Sequence, residues 1–142
     1  ATLLNEMVYP DRLAVASIAD WMNGTTVFTD EHNKVLEFNK DVSPIENKVK
    51  YKTVNIYSFS VASWGVVSTR LDKHITEGKV KGYYETVFAE LVAEKAMSFD
   101  SVSFDSKNWY EIDTAEDLAE AVKLFPPVNF LTSKNTMSNE IR

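Results

Sequence analysis

The stretch "YKTVNIYSFS", Tyr51 to Ser60, is rich in β-branched and aromatic residues and runs without a break into a segment of different period. From Val61 to Ile75, the residues Val61, Trp64, Val67, Leu71 and Ile75 recur at spacings of three and four, which predicts a helix despite Gly65. β-branched and aromatic side chains fit a pleated surface, whereas the three-and-four spacing lines one face of a helix. A strand handed directly to an amphipathic helix implies a layered α/β structure in which the helix packs back onto a sheet.

The rest of the chain repeats this alternation. Leu3, Leu4, Met7 and Val8 have helical spacing, ended by Pro10, which disfavours helix in the residue before it. "LAVASI" is an apolar run of strand length and suits a buried strand. Thr25 to Thr29 and Lys34 to Phe38 predict a hairpin joined by "DEHN", and Asn23-Gly24 marks a turn before it. The polar stretch Ser43 to Lys50 predicts a loop. Tyr84 to Met97 predicts a second amphipathic helix through Tyr84, Val87, Phe88, Leu91 and Val92, and "VSFD" and "WYEI" predict short strands around "SKN". Thr114 stands three residues before Asp117 in a capping box that opens a last helix with the stripe Leu118, Ala121, Val122 and Phe125. Pro126 and Pro127 stop it, and a polar tail follows. The expectation is one α/β domain over residues 1–125, a mixed sheet flanked by helices, with residues 126–142 as tail.

Composition narrows the chemistry. At 142 residues, with 44% apolar and 12% aromatic residues, the chain can bury a core. It has no cysteine, which excludes disulfides, thiolate catalysis and cysteine-ligated zinc. A formal charge of −6 argues against non-specific nucleic-acid binding, which relies on Lys and Arg neutralising phosphates. No apolar run approaches the roughly 20 residues that span a bilayer, so no membrane partner is expected, and a cytoplasmic location is the default. Without a "GxSxG" motif, serine-nucleophile catalysis has no support. His32 and His74 fall in a turn and near a helix end, with no ligand spacing between them.

Three motifs occur in order: "WMNGTTV" (Trp21 to Val27), "YKTVNIYSFS" and "WYEIDTAEDL" (Trp109 to Leu118). Together they resemble the second half of the sugar-nucleotide-type nucleotidyltransferases, in particular the branch that activates phosphocholine and 2-aminoethylphosphonate with CTP. The resemblance covers residues 2–125. It implies a Rossmann-like mixed sheet, Mg²⁺ as cofactor, and transfer of CMP from CTP to a small phosphonate or phosphocholine-like acceptor with release of pyrophosphate. The family's glycine-rich triphosphate loop has no counterpart here, since Gly24, Gly65, Gly78 and Gly82 are dispersed. The chain therefore reads as the C-terminal, acceptor-binding portion of such an enzyme, inactive alone. It is expected to associate with a copy of itself or with the missing half, because removing half of a sheet exposes apolar edges and faces. The alternative is an inactive α/β module that binds or dimerises.

The resemblance places Asp113 as a metal-binding aspartate. It assigns Lys40 and Asn55 to the acceptor, and Trp109 and Tyr110 to aromatic positions near the substrate. Phosphoryl chemistry suits the first assignment: it needs a hard cation held by one or two carboxylates, and a carboxylate at a strand end is well placed for that. The other reading of Asp113 is a carboxylate serving the following helix N-terminus. Lys52 is a further candidate for an anionic acceptor. An amine-bearing acceptor would favour aromatic faces with a carboxylate, for which Trp21, Tyr83, Tyr84, Trp109, Tyr110 and Glu85 are candidates. Asn55 interrupts a strand and must find a partner, in a ligand or within the protein.

Overall fold

The computed structural model describes residues 2–19, 22–39, 49–105 and 108–125. By chain range they belong to two compact units, Ala1–Ser106 and Lys107–Arg142. Each unit is described by itself.

The first unit runs α1 (Thr2–Met7), β1 (Arg12–Ala16), β2 (Thr26–Thr29), β3 (Val35–Asn39), β4 (Val49–Ser58), α2 (Val61–Thr76), α3 (Glu85–Ala93) and β5 (Asp100–Ser103). Its strands form one five-stranded sheet in the order β3-β2-β4-β1-β5. β1 and β5 are parallel, and the other neighbours are antiparallel. This is the α/β architecture with a mixed sheet that the alternating periods imply. β1 reads as a continuous apolar run because it lies inside the sheet, and Leu13 to Ala16 are all buried.

The hairpin forms where expected. The Asp30 carboxylate accepts from the amides of His32 (2.9 Å) and Lys34 (2.8 Å), and Asn33 takes the left-handed conformation (φ 63°) that closes the turn. Gly24, in the turn before it, has φ 94°, a value that L side chains rarely adopt. The outermost strands then meet at one end: the Val35 amide donates to the Phe99 carbonyl (2.9 Å) and the Ser101 amide to the Asn33 carbonyl (2.7 Å). Lys34 and Asp100 bridge the same junction at 2.9 Å. The sheet is therefore curled until β3 approaches β5.

β4 is bent. Leu13 pairs with Tyr57 and Val15 with Thr53, so Ala14 opposes three residues of β4 in a bulge. Asn55 sits in that bulge with φ 58°, a conformation Asn tolerates better than its β-branched neighbours do.

α2 opens on Ser60, whose hydroxyl accepts from the Ser63 amide (3.1 Å). Asp11 pins this start by accepting from the Ser60 amide (2.9 Å) and the Ser63 hydroxyl (2.7 Å). Its apolar stripe is only partly used. Val67 is buried and Leu71 packs against the core, but Val61, Trp64 and Ile75 are 92%, 51% and 63% exposed. α3 is shorter than its periodicity suggests. Lys95 turns left-handed (φ 59°) while the amides of Lys95 and Ala96 donate to the carbonyls of Val92 (3.0 Å) and Leu91 (2.9 Å), a Schellman closure formed without glycine. Its buried face, Val87, Phe88, Leu91 and Val92, joins Leu13, Val15, Val27 and Phe99 in the core.

α2 and α3 are tied by charge. Arg70 bonds Glu90 (3.0 Å) and Glu94 (2.6 Å), and the ring of His74 reaches the same Glu90 oxygen at 2.9 Å. His32, by contrast, is a surface residue with its side chain 82% exposed. Burial works to raise the Glu90 pKa, but Arg70 and His74 outweigh it, and hydrogen bonding to Arg70 lowers that of Glu94, so both lie below the ordinary 4.5. Carboxylates depressed on folding add stability that is present above the unfolded value and lost as pH falls through the folded one. Arg70→Met is therefore expected to lower the urea midpoint at pH 7, with the difference from wild type shrinking below pH 4.5. A difference that stays constant down to pH 3 would contradict this.

In the second unit, residues 108–113 form no strand, contrary to the expectation for "WYEI". Strand propensity in so short a segment is a weak prior, and cross-strand packing decides whether a strand forms. α4 (Ala115–Leu124) follows, opened by the complete Thr114/Asp117 capping box. Of its stripe only Ala121 is buried, while Leu118, Val122 and Phe125 are each about half exposed. The expected tail and the "PP" stop lie outside the described residues, as do most of the Ser43–Lys50 loop and Ser106-Lys107 of the "SKN" turn.

Candidate functional site

Asp113 immediately precedes the cap of α4. Its backbone amide donates to the Asp117 carboxylate (3.1 Å), which also accepts from the Thr114 amide (2.8 Å) and hydroxyl (2.7 Å). The Thr114 hydroxyl in turn accepts from the Asp117 amide (3.1 Å). Thr114 and Asp117 thus do the capping, and the Asp113 side chain takes no part in it. Asp113 is exposed to solvent, not packed against apolar groups. Placed one residue before the cap, the Asp113 carboxylate still stands at the positive end of the α4 dipole.

The position just past a strand end, expected for Asp113, is held instead by Asp105, beyond the carboxyl ends of the parallel pair β1 and β5. Oδ1 of Asp105 accepts from the Ser17 amide (2.7 Å), and Oδ2 accepts from the hydroxyls of Ser17 (2.9 Å) and Ser103 (3.1 Å). Burial acts to raise its pKa, but the Ser17 and Ser103 bonds outweigh that and leave it below the ordinary aspartate range. A carboxylate has about four lone-pair sites, and most are taken here, so Asp105 fixes two loops to each other and has little capacity for a metal. Among the described residues, no three His, Asp or Glu side chains gather to hold a metal ion. Magnesium does not require such a cage: it keeps several waters and is bound through one or two carboxylates plus substrate phosphates. The exposed Asp113 carboxylate fits the role of one such ligand.

Lys52 is buried, with 3% exposure, which is uncommon for lysine. It pairs with Thr26 and Ala16 across β4, and alternation puts it on the face opposite Tyr51, which packs against the core. A Cβ added at Gly24 would lie 3.2 Å from Lys52 Nζ, so this glycine makes room for the ammonium as well as for the turn. Asn55 is exposed, with its Oδ1 3.4 Å from the Thr53 hydroxyl, which also donates to the Thr25 carbonyl at 3.1 Å. Lys40 and Trp21 lie outside the described residues. Trp109 and Tyr110 are half-buried in the second unit.

Glu85 is the first residue of α3 and is buried at 7% exposure. Its Oε2 has no hydrogen-bond partner, and the same holds for the buried hydroxyl of Tyr57. Thr53 and Tyr84 stand beside that hydroxyl without reaching hydrogen-bonding geometry. Burial, followed by Tyr84 and Glu85, pushes the Tyr57 pKa up and keeps its proton in place. The surrounding walls are aromatic: the Tyr57 ring lies 5.9 Å from Tyr84, 4.9 Å from Phe88 and 6.2 Å from Phe59, which in turn lies 5.8 Å from Trp64. Tyr84 also lines a cavity of about 530 Å³ with Tyr83, Thr86, His74 and Lys79.

The fold thus brings two of the sequence candidates, Tyr84 and Glu85, together with Tyr57, whose role was not legible in the sequence. Lys52 lies on the other face of the sheet from this group. No family model and no curated protein matches the chain.

Proposed function

We propose that this chain is the acceptor-binding portion of a magnesium-dependent nucleotidyltransferase. Its reaction moves CMP from CTP to a small phosphonate or phosphocholine-like acceptor. An acceptor oxygen forms the new bond to the α-phosphorus of CTP as the bond to the β-phosphate oxygen breaks, and pyrophosphate leaves. When bound, magnesium would neutralise charge on the nucleotide phosphates. Asp113 supplies one carboxylate for that ion, Lys52 and Lys40 offset the acceptor's negative charge, and Glu85 with its aromatic neighbours takes a cationic end. No covalent protein intermediate is needed, because the acceptor is already an anionic nucleophile. A cytoplasmic location suits both substrates.

The observation that carries this reading is the Asp113 carboxylate, exposed and released from capping by Thr114 and Asp117, within the motif "YEIDTAEDL". The buried Glu85 beside Tyr84 lends support, because its Oε2 has no hydrogen-bond partner and a buried polar atom left unsatisfied is costly. With dispersed glycines and no triphosphate cradle, the 142 residues by themselves are expected to give no pyrophosphate from CTP. The test adds a polypeptide carrying a glycine-rich triphosphate loop of this family, with Mg²⁺, CTP and either 2-aminoethylphosphonate or phosphocholine. Pyrophosphate release that requires both polypeptides supports the reading. No release with any acceptor would count against it.

A second reading, an α/β module that associates with itself or a partner without catalysis, draws on the exposed apolar residues of α2, Val61, Trp64 and Ile75. Sedimentation tests the self-association that both readings expect: a monomer at high concentration contradicts it.

Among the described residues no helix is long and apolar enough to cross a membrane.

A further inference from the structure

We propose that Asn23 is a site of spontaneous deamidation, and that its isoaspartyl product unseats the buried Lys52. Asn23 is the one asparagine in the chain followed by glycine. The reaction begins when the backbone nitrogen of the next residue attacks the asparagine side-chain carbonyl carbon, so that nitrogen must be reachable and free of other bonds. Gly24 has no side chain to shield its nitrogen. Its amide and the Asn23 side chain make no hydrogen bond to any described residue, and both residues are exposed to water. Asn33 provides the contrast within the same molecule: the amide that would attack it belongs to Lys34 and donates to the Asp30 carboxylate at 2.8 Å.

The new bond joins the Gly24 nitrogen to Asn23 Cγ as the Cγ–NH₂ bond breaks. The amide proton departs with the leaving group as ammonia, and a succinimide ring remains. Water then opens the ring. Attack at Cγ restores the ordinary peptide link and leaves aspartate, whereas attack at the main-chain carbonyl carbon leaves isoaspartate, in which the chain runs through the side chain and is longer by one methylene. Either product exchanges a neutral amide for a carboxylate. The added methylene finds no slack downstream. The Thr25 carbonyl accepts from the amide and the hydroxyl of Thr53, both at 3.1 Å, and Thr26 pairs with Lys52. The displacement therefore falls on the turn at Gly24, whose φ of 94° and bare Cα clear the Lys52 ammonium: a Cβ built there would stand 3.2 Å from Nζ. Lys52 is only 3% exposed, so a shift of this turn uncovers it.

The experiment incubates the 142-residue chain at mildly alkaline pH and follows the peptide carrying both Asn23 and Asn33 by mass spectrometry for the exchange of –NH₂ for –OH. Methyl transfer by an isoaspartyl methyltransferase scores the isoaspartate. Conversion at Asn23 is expected to run about ten- to a hundredfold faster than at Asn33, the factor that one charge-assisted hydrogen bond on the competing amide is worth. The deamidated chain is then separated by its added charge, and acylation of its lysines is timed beside that of Asn23→Asp, which carries the charge without the longer backbone. Lys52 is expected to lose its protection in the isoaspartyl form and to keep it in Asn23→Asp. Equal conversion at Asn23 and Asn33 overturns the modification site. Lys52 equally protected in both forms overturns its coupling to that site.

Discussion

Phe99→Ala is expected to destabilise the chain by about 3–5 kcal/mol, the range for removing a fully buried large aromatic side chain. Phe99 is 0% exposed. Its ring meets four others: Phe38 at 5.9 Å, Phe59 at 5.8 Å, Phe88 at 5.7 Å and Tyr57 at 6.1 Å. Those rings come from β3, the β4–α2 junction, α3 and β4, so the cavity would open where sheet and helix layers join. Its backbone also holds the two edges of the sheet together through the Val35 amide. Against a total stability of about 5–15 kcal/mol for a domain of this kind, such a loss is a large fraction of the whole. Urea denaturation followed by tryptophan fluorescence checks it. A midpoint within 0.5 M of wild type, at an m-value of about 1–3 kcal/mol/M, would show that the core does not converge on this ring.

Asp113→Asn is expected to lower kcat in the two-polypeptide assay by about 10²–10³-fold, comparable to deleting one preorganised electrostatic contact to a reacting group. The KM for the acceptor should change little, because Asp113 is assigned to the metal–nucleotide side. Asparagine keeps the shape and removes the charge, so folding is unaffected: the capping box belongs to Thr114 and Asp117 and remains intact. An unchanged kcat would remove Asp113 from the chemistry. A collapse of helix content would instead point to a structural role.

Much of the fold was legible because period and propensity agreed. The hairpin from Thr25 to Phe38, the long strand through Tyr51 and the capping box at Thr114 all form where residue types require them. The departures have physical causes. The Tyr84–Met97 periodicity ran past the end of α3 because the stop is a left-handed lysine, Lys95, and no glycine announces it. "WYEI" forms no strand because propensity over four residues does not supply a pairing partner. The apolar spacing of α2 was real, but one buried position, Val67, with help from Leu71, suffices to dock the helix.

The candidate site was less legible. Asn55 stood out as a polar break in a strand, and the bulge supplies a conformational reason for it that no local pattern announces. Lys52 was a candidate cation without any sign that it would be buried. Glu85 is a candidate in the sequence for its charge beside two tyrosines. Its burial near Tyr57, 28 positions earlier on another element, is a tertiary fact.

In the proposed enzyme the Asp113 carboxylate helps hold a divalent cation carried by a nucleotide. Mn²⁺ is the direct probe, since it replaces Mg²⁺ at oxygen sites and broadens the resonances of nearby nuclei. ¹⁵N-labelled chain titrated with Mn²⁺ and CMP-aminoethylphosphonate, the expected product, is predicted to lose the amide signals of Asp113 to Asp117 first, and Asp113→Asn is predicted to restore them at the same Mn²⁺ concentration. Broadening that is scattered over the acidic surface, or identical in the variant, would contradict the account.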